Sequence, residues 1–186
     1  MPARDIRTRR LLLRPFREDD ADAFEAFASE PGYRRYLGPH HPTPGEFVAN
    51  SLKVDWESAL SWVVCLDDVP VGSIFLGIDP NERFAELACM LAPSVWRNHM
   101  ASEAGEAVVA YAFETLHLEK VVARAAGGNL ASRRATEKAG MIQEGLLRAH
   151  RIHHDGHRVD EVLYGLTIDR WRCLRCMHSR RLARDD

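Results

Sequence analysis

Arg97, Asn98 and His99 fall between a strand-like apolar run, Ala85 to Leu91, and a long amphipathic stretch, Ala101 to Leu116, whose second residue is Ser102. A helix starting there presents unpaired N–H groups and a partial positive charge, the means by which a folded chain holds a phosphate. Glycines usually let such a loop close on its ligand. None stands between Trp96 and Ala104, where Arg97 and His99 bring bulk and charge instead. Glu86 shares a strand face with Ala88 and Met90. A carboxylate in that semi-apolar setting holds a proton more tightly and suits general-base work, directly or through water; the plain alternative is a solvent-facing strand carboxylate.

His150, His153, His154 and His157 raise the question of a metal. In a regular strand His150 and His154 share one face and His153 takes the other, so a tetrahedral set needs both sides of a hairpin to converge. No metal is expected, and these residues read as groove lining or surface. Cys173-x-x-Cys176 with His178 lacks a second cysteine pair and reads as exposed thiols, while Cys65 and Cys89 sit in apolar runs and read as buried, inert ones.

These groups need elements to hold them. Leu11 to Phe16 reads as a strand, Arg17 to Ser29 as a helix with Asp19 and Asp20 in its first turn, and Glu46 to Lys53 as a short helix. Trp62–Leu66 and Val71–Leu76 form a hairpin about Asp67-Asp68. Lys120 to Ala126 is a strand, and Asn129 to Ala139 is a helix ended by Gly140 as a left-handed cap. Met141–His153 and His157–Ile168 make a last strand pair turning at Asp155-Gly156. The order predicts an α/β fold with a mixed, mostly antiparallel sheet and crossover helices.

Bulk properties narrow the function classes. A chain of 186 residues with 46% hydrophobic and 28% charged residues is expected to form one globular domain. A net charge of −2 gives no global field for nucleic acid. The one basic feature is an Arg-rich tail from Arg170, expected to be helical or disordered and mostly solvated. The charged N-terminus and the lack of a long apolar run predict a cytoplasmic protein without a membrane span.

Four patches resemble one family. Thr8-Arg9-Arg10-Leu11-Leu12-Leu13-Arg14-Pro15 is similar to an opening strand. Trp96 to Ala104 is similar to a W-G-x-G-x-A-[ST]-E-A loop. Asn129-Leu130-Ala131-Ser132 with Glu137-Lys138-Ala139-Gly140-Met141 is similar to an N-x-x-S…E-K-x-G-F helix. Glu144 to Arg148, with Asp160 and Tyr164, is similar to closing strands. In this order and spacing, from about Thr8 to Trp171, they resemble the GCN5-related N-acetyltransferase (GNAT) superfamily, in its RimJ/RimL-type branch. The resemblance implies a single acetyltransferase domain over residues 1–171, followed by a tail at 172–186. It implies acetyl-CoA as co-substrate and a primary amine as acceptor, either a protein N-terminus or a small molecule, attacked directly in a ternary complex.

By the same resemblance the backbone N–H groups of Arg97, Asn98, His99, Met100, Ala101 and Ser102 hold the pyrophosphate. The backbone of Cys89, Met90 and Leu91 pairs with the pantetheine arm, Asn129 and Ser132 contact the cofactor, and Glu86 is the candidate base. Asn129 reads equally as the cap of its helix. The family's frequent general-acid tyrosine has no match, since Thr136 takes its place. Arg148 and Asp160 match branch positions on the substrate side; the plain alternative is an ion pair across the last strands. The alternative function is a binding or regulatory protein with a degenerate pyrophosphate loop. A homodimer through the last strands or the tail is compatible with the sequence.

Overall fold

The computed structural model describes residues 3–182, with side chains to residue 177. The strands are β1 (Ile6–Arg7), β2 (Leu11–Arg14), β3 (Ala59–Leu66), β4 (Val69–Asp79), β5 (Phe84–Leu91), β6 (Lys120–Ala126), β7 (Ile142–Ile152) and β8 (Arg158–Thr167). The helices are α1 (Ala21–Ala28), α2 (Pro44–Leu52), α3 (Met100–Glu114), α4 (Leu130–Lys138) and α5 (Ile168–Leu182). All eight strands form one sheet in the order β1-β2-β3-β4-β5-β6-β8-β7. Only β5 and β6 run parallel, because α3 carries the chain across from one to the other. This is the mixed, mostly antiparallel α/β sheet expected.

Local chemistry explains most of the joints. Asp67 and Asp68 both take positive φ, 49° and 63°, which makes the turn whose twist suits a tight hairpin. Thr43 caps α2, its hydroxyl accepting from the Glu46 N–H while the Glu46 carboxylate accepts from the Thr43 N–H. Gly140, at φ 91°, turns the chain out of α4 as expected. Gly72 is required by a close approach, since a Cβ there would stand 2.2 Å from the Met90 carbonyl oxygen.

Two cores flank the sheet. On one face α3 lays Ala104, Val108 and Val109 against Trp62, Ile74, Leu76 and Val121. On the other, α1 and α2 cover β3 through Phe24, Phe27, Val48 and Val63. Among the described residues this second core takes nothing from β6, β7 or β8. That part of the sheet therefore has a face without helical cover.

The structure corrects the sequence reading in places. β1 was not expected, nor was the 3-10 turn at Tyr33–Tyr36. The Arg-rich segment is a docked helix as far as it is described. Trp171 packs on Phe113 at 5.3 Å, and Arg175 lies over Trp171 while pairing with Glu114 at 2.6 Å. α5 runs without a break across Trp171 and Arg172. Residues 183–186, including Arg184, lie outside the described residues. β7 is irregular between Leu147 and Arg151, with Ala149 at φ 48°. The expected Arg148–Asp160 ion pair is absent, because Asp160 Oδ1 instead accepts the Ala149 N–H at 2.8 Å. The same irregularity breaks the strand alternation used to place His150 relative to His153 and His154. No helix among the described residues is long and apolar enough to cross a membrane.

Candidate active site

β5 and β6 pair only from Phe84↔Lys120 to Leu87↔Ala123. Beyond Leu87 the strands part, although β5 continues to Leu91 and β6 to Ala126. β4 still holds the far side of β5, with Ile74 opposite Cys89, Ser73 opposite Met90 and Gly72 opposite Leu91. Cys89, Met90 and Leu91 therefore have one edge paired and one edge free. A free edge of this kind takes an extended ligand as it would take another strand. The Cys89 side chain is exposed, not buried as expected, yet its surroundings push the thiol up to about 12, which keeps it the inert group expected.

The loop before α3 begins with a 3-10 turn, Pro93–Val95. The Trp96 indole N–H donates to the Leu91 carbonyl at 2.8 Å and ties the loop to the end of β5. Arg97 and His99, the residues standing where glycine was missing, have φ of 65° and 61°. Both thus adopt the left-handed conformation that glycine takes freely and that costs other residues about 1–2 kcal/mol each. His99 is the N-cap of α3 and makes no side-chain capping bond. Among the described residues, no main-chain carbonyl accepts from the N–H groups of Arg97 through Ser102; the first such bond of α3 runs from the Glu103 N–H to His99 O. Successive free N–H groups at a helix start form an anion-binding concavity. The side chains of Arg97, Asn98 and His99 are exposed, whereas Met100 and Ser102 are buried.

A brace from the far end of the chain fixes this loop. The Thr8 hydroxyl donates to Glu103 Oε1 at 2.6 Å, and the Arg10 N–H donates to the same oxygen at 2.9 Å. The Arg10 guanidinium bonds Glu103 Oε2 at 2.7 Å and reaches the Asn98 carbonyl at 2.9 Å. Burial alone would raise the Glu103 carboxyl, but these bonds outweigh it and hold the group below its ordinary range.

The opposite wall is the start of α4. Asn129 Oδ1 accepts the Ser132 N–H at 3.1 Å, so Asn129 is the helix cap. Its amide nitrogen is not used in that bond. Lys138, at the other end of α4, brings Nζ to 3.3 Å from His99 Nδ1. Thr136 is half-buried on the same helix. Above the wall, the Tyr36 hydroxyl reaches the Gly128 carbonyl at 3.4 Å.

Glu86 lies on the face of β5 that α1 and α2 leave uncovered. It lines a shallow groove of about 340 Å3 with Phe75, Phe84 and Ala88. The apolar lining is as expected, but the Glu86 side chain is 43% exposed and Oε1 lies 3.3 Å from Arg124 Nε. Arg124 is also 3.8 Å from Glu161, which is buried beside Arg151 at 3.2 Å and His150 at 3.8 Å. Glu86 thus ends a row of alternating charges that crosses β5, β6, β8 and β7. Sequence reasoning assigned no role to Glu103, Arg124, Tyr36 or Glu161. The signal for Glu161 was a carboxylate pair, Asp160-Glu161, inside an otherwise apolar strand.

Comparison with known proteins finds the same architecture. The Acetyltransferase (GNAT) domain family matches residues 10–142, a span that includes the parting of β5 and β6, the α3 loop and all of α4. An uncharacterized N-acetyltransferase, YoaA of Bacillus subtilis (strain 168), is 29% identical over 173 residues, covering 89% of this chain and 97% of its own. A GNAT-family acetyltransferase structure from Bacillus anthracis aligns with a TM-score of 0.78 at 25% identity, over 88% of this chain and 98% of that one. Mycobacterium smegmatis RimJ, solved in complex with CoA-disulfide, shares the fold with a TM-score of 0.76 at 21% identity, over 86% of this chain and 82% of that one. The family match covers more than half of the sequence, and the chain belongs to the GNAT family of acetyltransferases.

Proposed function

We propose that this acetyltransferase moves an acetyl group from acetyl-CoA to a primary amine by direct attack in a ternary complex. The observation that carries the reading is the left-handed backbone of Arg97 and His99. Two bulky residues keep, at a cost, the conformation that leaves a run of N–H groups free at the start of α3. In this reading the pyrophosphate rests on the N–H groups of Arg97 to Ser102. The exposed side chains of Arg97 and His99 add attraction where glycine adds none. The pantetheine arm runs along the free edge of Cys89, Met90 and Leu91, with Asn129 and Ser132 on the facing wall. RimJ of M. smegmatis, which shares the fold, holds a CoA derivative.

In the transfer, the amine nitrogen bonds to the acetyl carbon and the C–S bond breaks. The amine proton passes to Glu86, directly or through water, and the CoA thiolate takes a proton from solvent. A backbone N–H of the free β5 edge polarises the thioester carbonyl. Arg124, 3.3 Å away, holds the Glu86 carboxylate in place. The acceptor is a protein N-terminus or a small-molecule amine, and the opening-strand and loop motifs resemble those of the RimJ/RimL-type branch. Thr136 in place of a tyrosine favours the second reading, a GNAT-fold protein that binds acetyl-CoA and does not turn it over.

The test is release of free CoA thiol on incubation with acetyl-CoA and a panel of N-terminal peptides, polyamines and aminoglycosides. Turnover with at least one acceptor, lost in Glu86→Gln, is the expected result. Binding of acetyl-CoA with no turnover across the panel selects the second reading. Absence of binding at millimolar acetyl-CoA contradicts both.

A further inference from the structure

The turn joining β7 to β8 carries more chemistry than a turn needs. It is closed by the His153 N–H donating to His157 O at 2.8 Å and by the Gly156 N–H donating to His153 O at 2.9 Å. Gly156 sits at φ 90°. These bonds set His153 and His157 opposite one another, with Asp155 between them. His153 Nδ1 lies 3.0 Å from Asp155 Oδ1, and His157 Nδ1 contacts that same oxygen. One donor atom from each of the three residues lies within 4.8 Å of the other two.

The protonation pattern of His153 follows from its partners. Nε2 is 2.5 Å from the Arg35 main-chain carbonyl. A carbonyl only accepts, so Nε2 carries the proton and donates it. In the neutral ring Nδ1 is then a bare lone pair. It is buried, and no hydrogen-bond partner reaches it. What faces it is a carboxylate oxygen, a second lone pair. His157 Nδ1 points a third group at the same oxygen. Protons on both rings would settle both contacts by setting two imidazolium charges against one carboxylate, whereas a single cation settles them with the rings neutral.

We propose that His153 Nδ1, His157 Nδ1 and a carboxylate oxygen of Asp155 form a three-ligand site for a divalent transition-metal ion of the zinc class, with water completing the coordination. Imidazole nitrogen suits zinc, copper and nickel, while magnesium and calcium prefer all-oxygen sets. Two imidazoles and a carboxylate are also a ligand set of open zinc sites. In a tetrahedral site with bonds of about 2.0–2.1 Å, donor atoms stand about 3.3 Å apart. The His153–Asp155 separation is a few tenths of an ångström short of that, and the closer His157–Asp155 contact must open further for an ion to enter. The bond from Nε2 to a main-chain carbonyl is the support that commonly fixes a ligating histidine. Arg35 belongs to the 3-10 turn at Tyr33–Tyr36, whose Tyr36 reaches the loop before Asn129. The ion would therefore pin the β7–β8 turn to the segment above the cleft. The site does not depend on the transfer reaction.

The test uses untagged protein carrying Cys173→Ser and Cys176→Ser, so that the thiols of α5 cannot compete for metal. Zinc is titrated calorimetrically, and cobalt(II) is followed by absorption. The expected result is one ion per chain, with weak d–d bands and no thiolate charge transfer. Asp155→Asn and His157→Ala should each weaken zinc binding at least about tenfold, with circular dichroism unchanged and His154→Ala without effect. Asp155→Asn preserves side-chain shape, so loss there reports coordination rather than a collapsed turn. No saturable zinc uptake, or uptake that Asp155→Asn and His157→Ala leave unchanged, overturns the proposal.

Discussion

The loop that opens α3 and the uncovered face of β5, β6, β8 and β7 are both put to use in the proposed reaction, and they are built in opposite ways. The loop works through its backbone. Its side chains from Arg97 to His99 are exposed, its N–H groups are left free, and a remote pair, Arg10 and Glu103, holds its shape. The face works through side chains: Glu86, Arg124, Glu161 and Arg151 alternate in charge across neighbouring strands. A backbone site tolerates changes of residue type as long as φ and ψ survive, which explains how the loop keeps its form without glycine. A side-chain site does not tolerate such changes.

The largest effect is expected on the side-chain half. Glu86→Gln should lower kcat by about 100-fold or more, the scale of general-base catalysis, and leave acetyl-CoA affinity unchanged. A matching loss of cofactor affinity would erase the contrast between the two regions. Next is the brace of the backbone half. Glu103→Ala strands Thr8 and Arg10 and should cost about 1–3 kcal/mol of stability, read by denaturant titration, together with weaker acetyl-CoA binding. The same carboxylate sharpens the comparison through pH. Its folded value is depressed, so its contribution is full above the unfolded carboxylate value and is lost as pH falls through the lower folded value. Wild type should therefore lose stability on acidification in that window, and Glu103→Gln should lose less. The smallest effect belongs to the loop backbone. Arg97→Gly and His99→Gly should each stabilise the protein by up to about 1 kcal/mol, because relief of left-handed strain exceeds the entropy cost of glycine. Destabilisation by both would mean that the side chains, not the backbone, hold the loop.

What could be read from the sequence follows the range of the interactions. β6, the Asp67-Asp68 turn, the Asn129 cap and the Gly140 stop depend on residues within one turn of each other, and all were legible. The Arg10–Glu103 brace joins residues 93 apart, and the Glu86–Arg124–Glu161 row exists only once β6 lies between β5 and β8. No local pattern announces either. The arrangement of the histidine turn lies beyond local reading for a related reason. β7 loses its register between Leu147 and Arg151, and the tight turn brings together His153, Asp155 and His157. The conformation of Arg97 and His99 was a question the sequence could pose and not answer, because both residue types usually avoid positive φ.

The α3 loop as a pyrophosphate cradle is tested most directly by calorimetric binding of acetyl-CoA against acetyl-pantetheine, which lacks the pyrophosphate. Saturable binding of acetyl-CoA with acetyl-pantetheine weaker by about 100-fold or more, roughly 2.7 kcal/mol, is the predicted result. Equal affinity for the two, or no binding of acetyl-CoA at all, would contradict it.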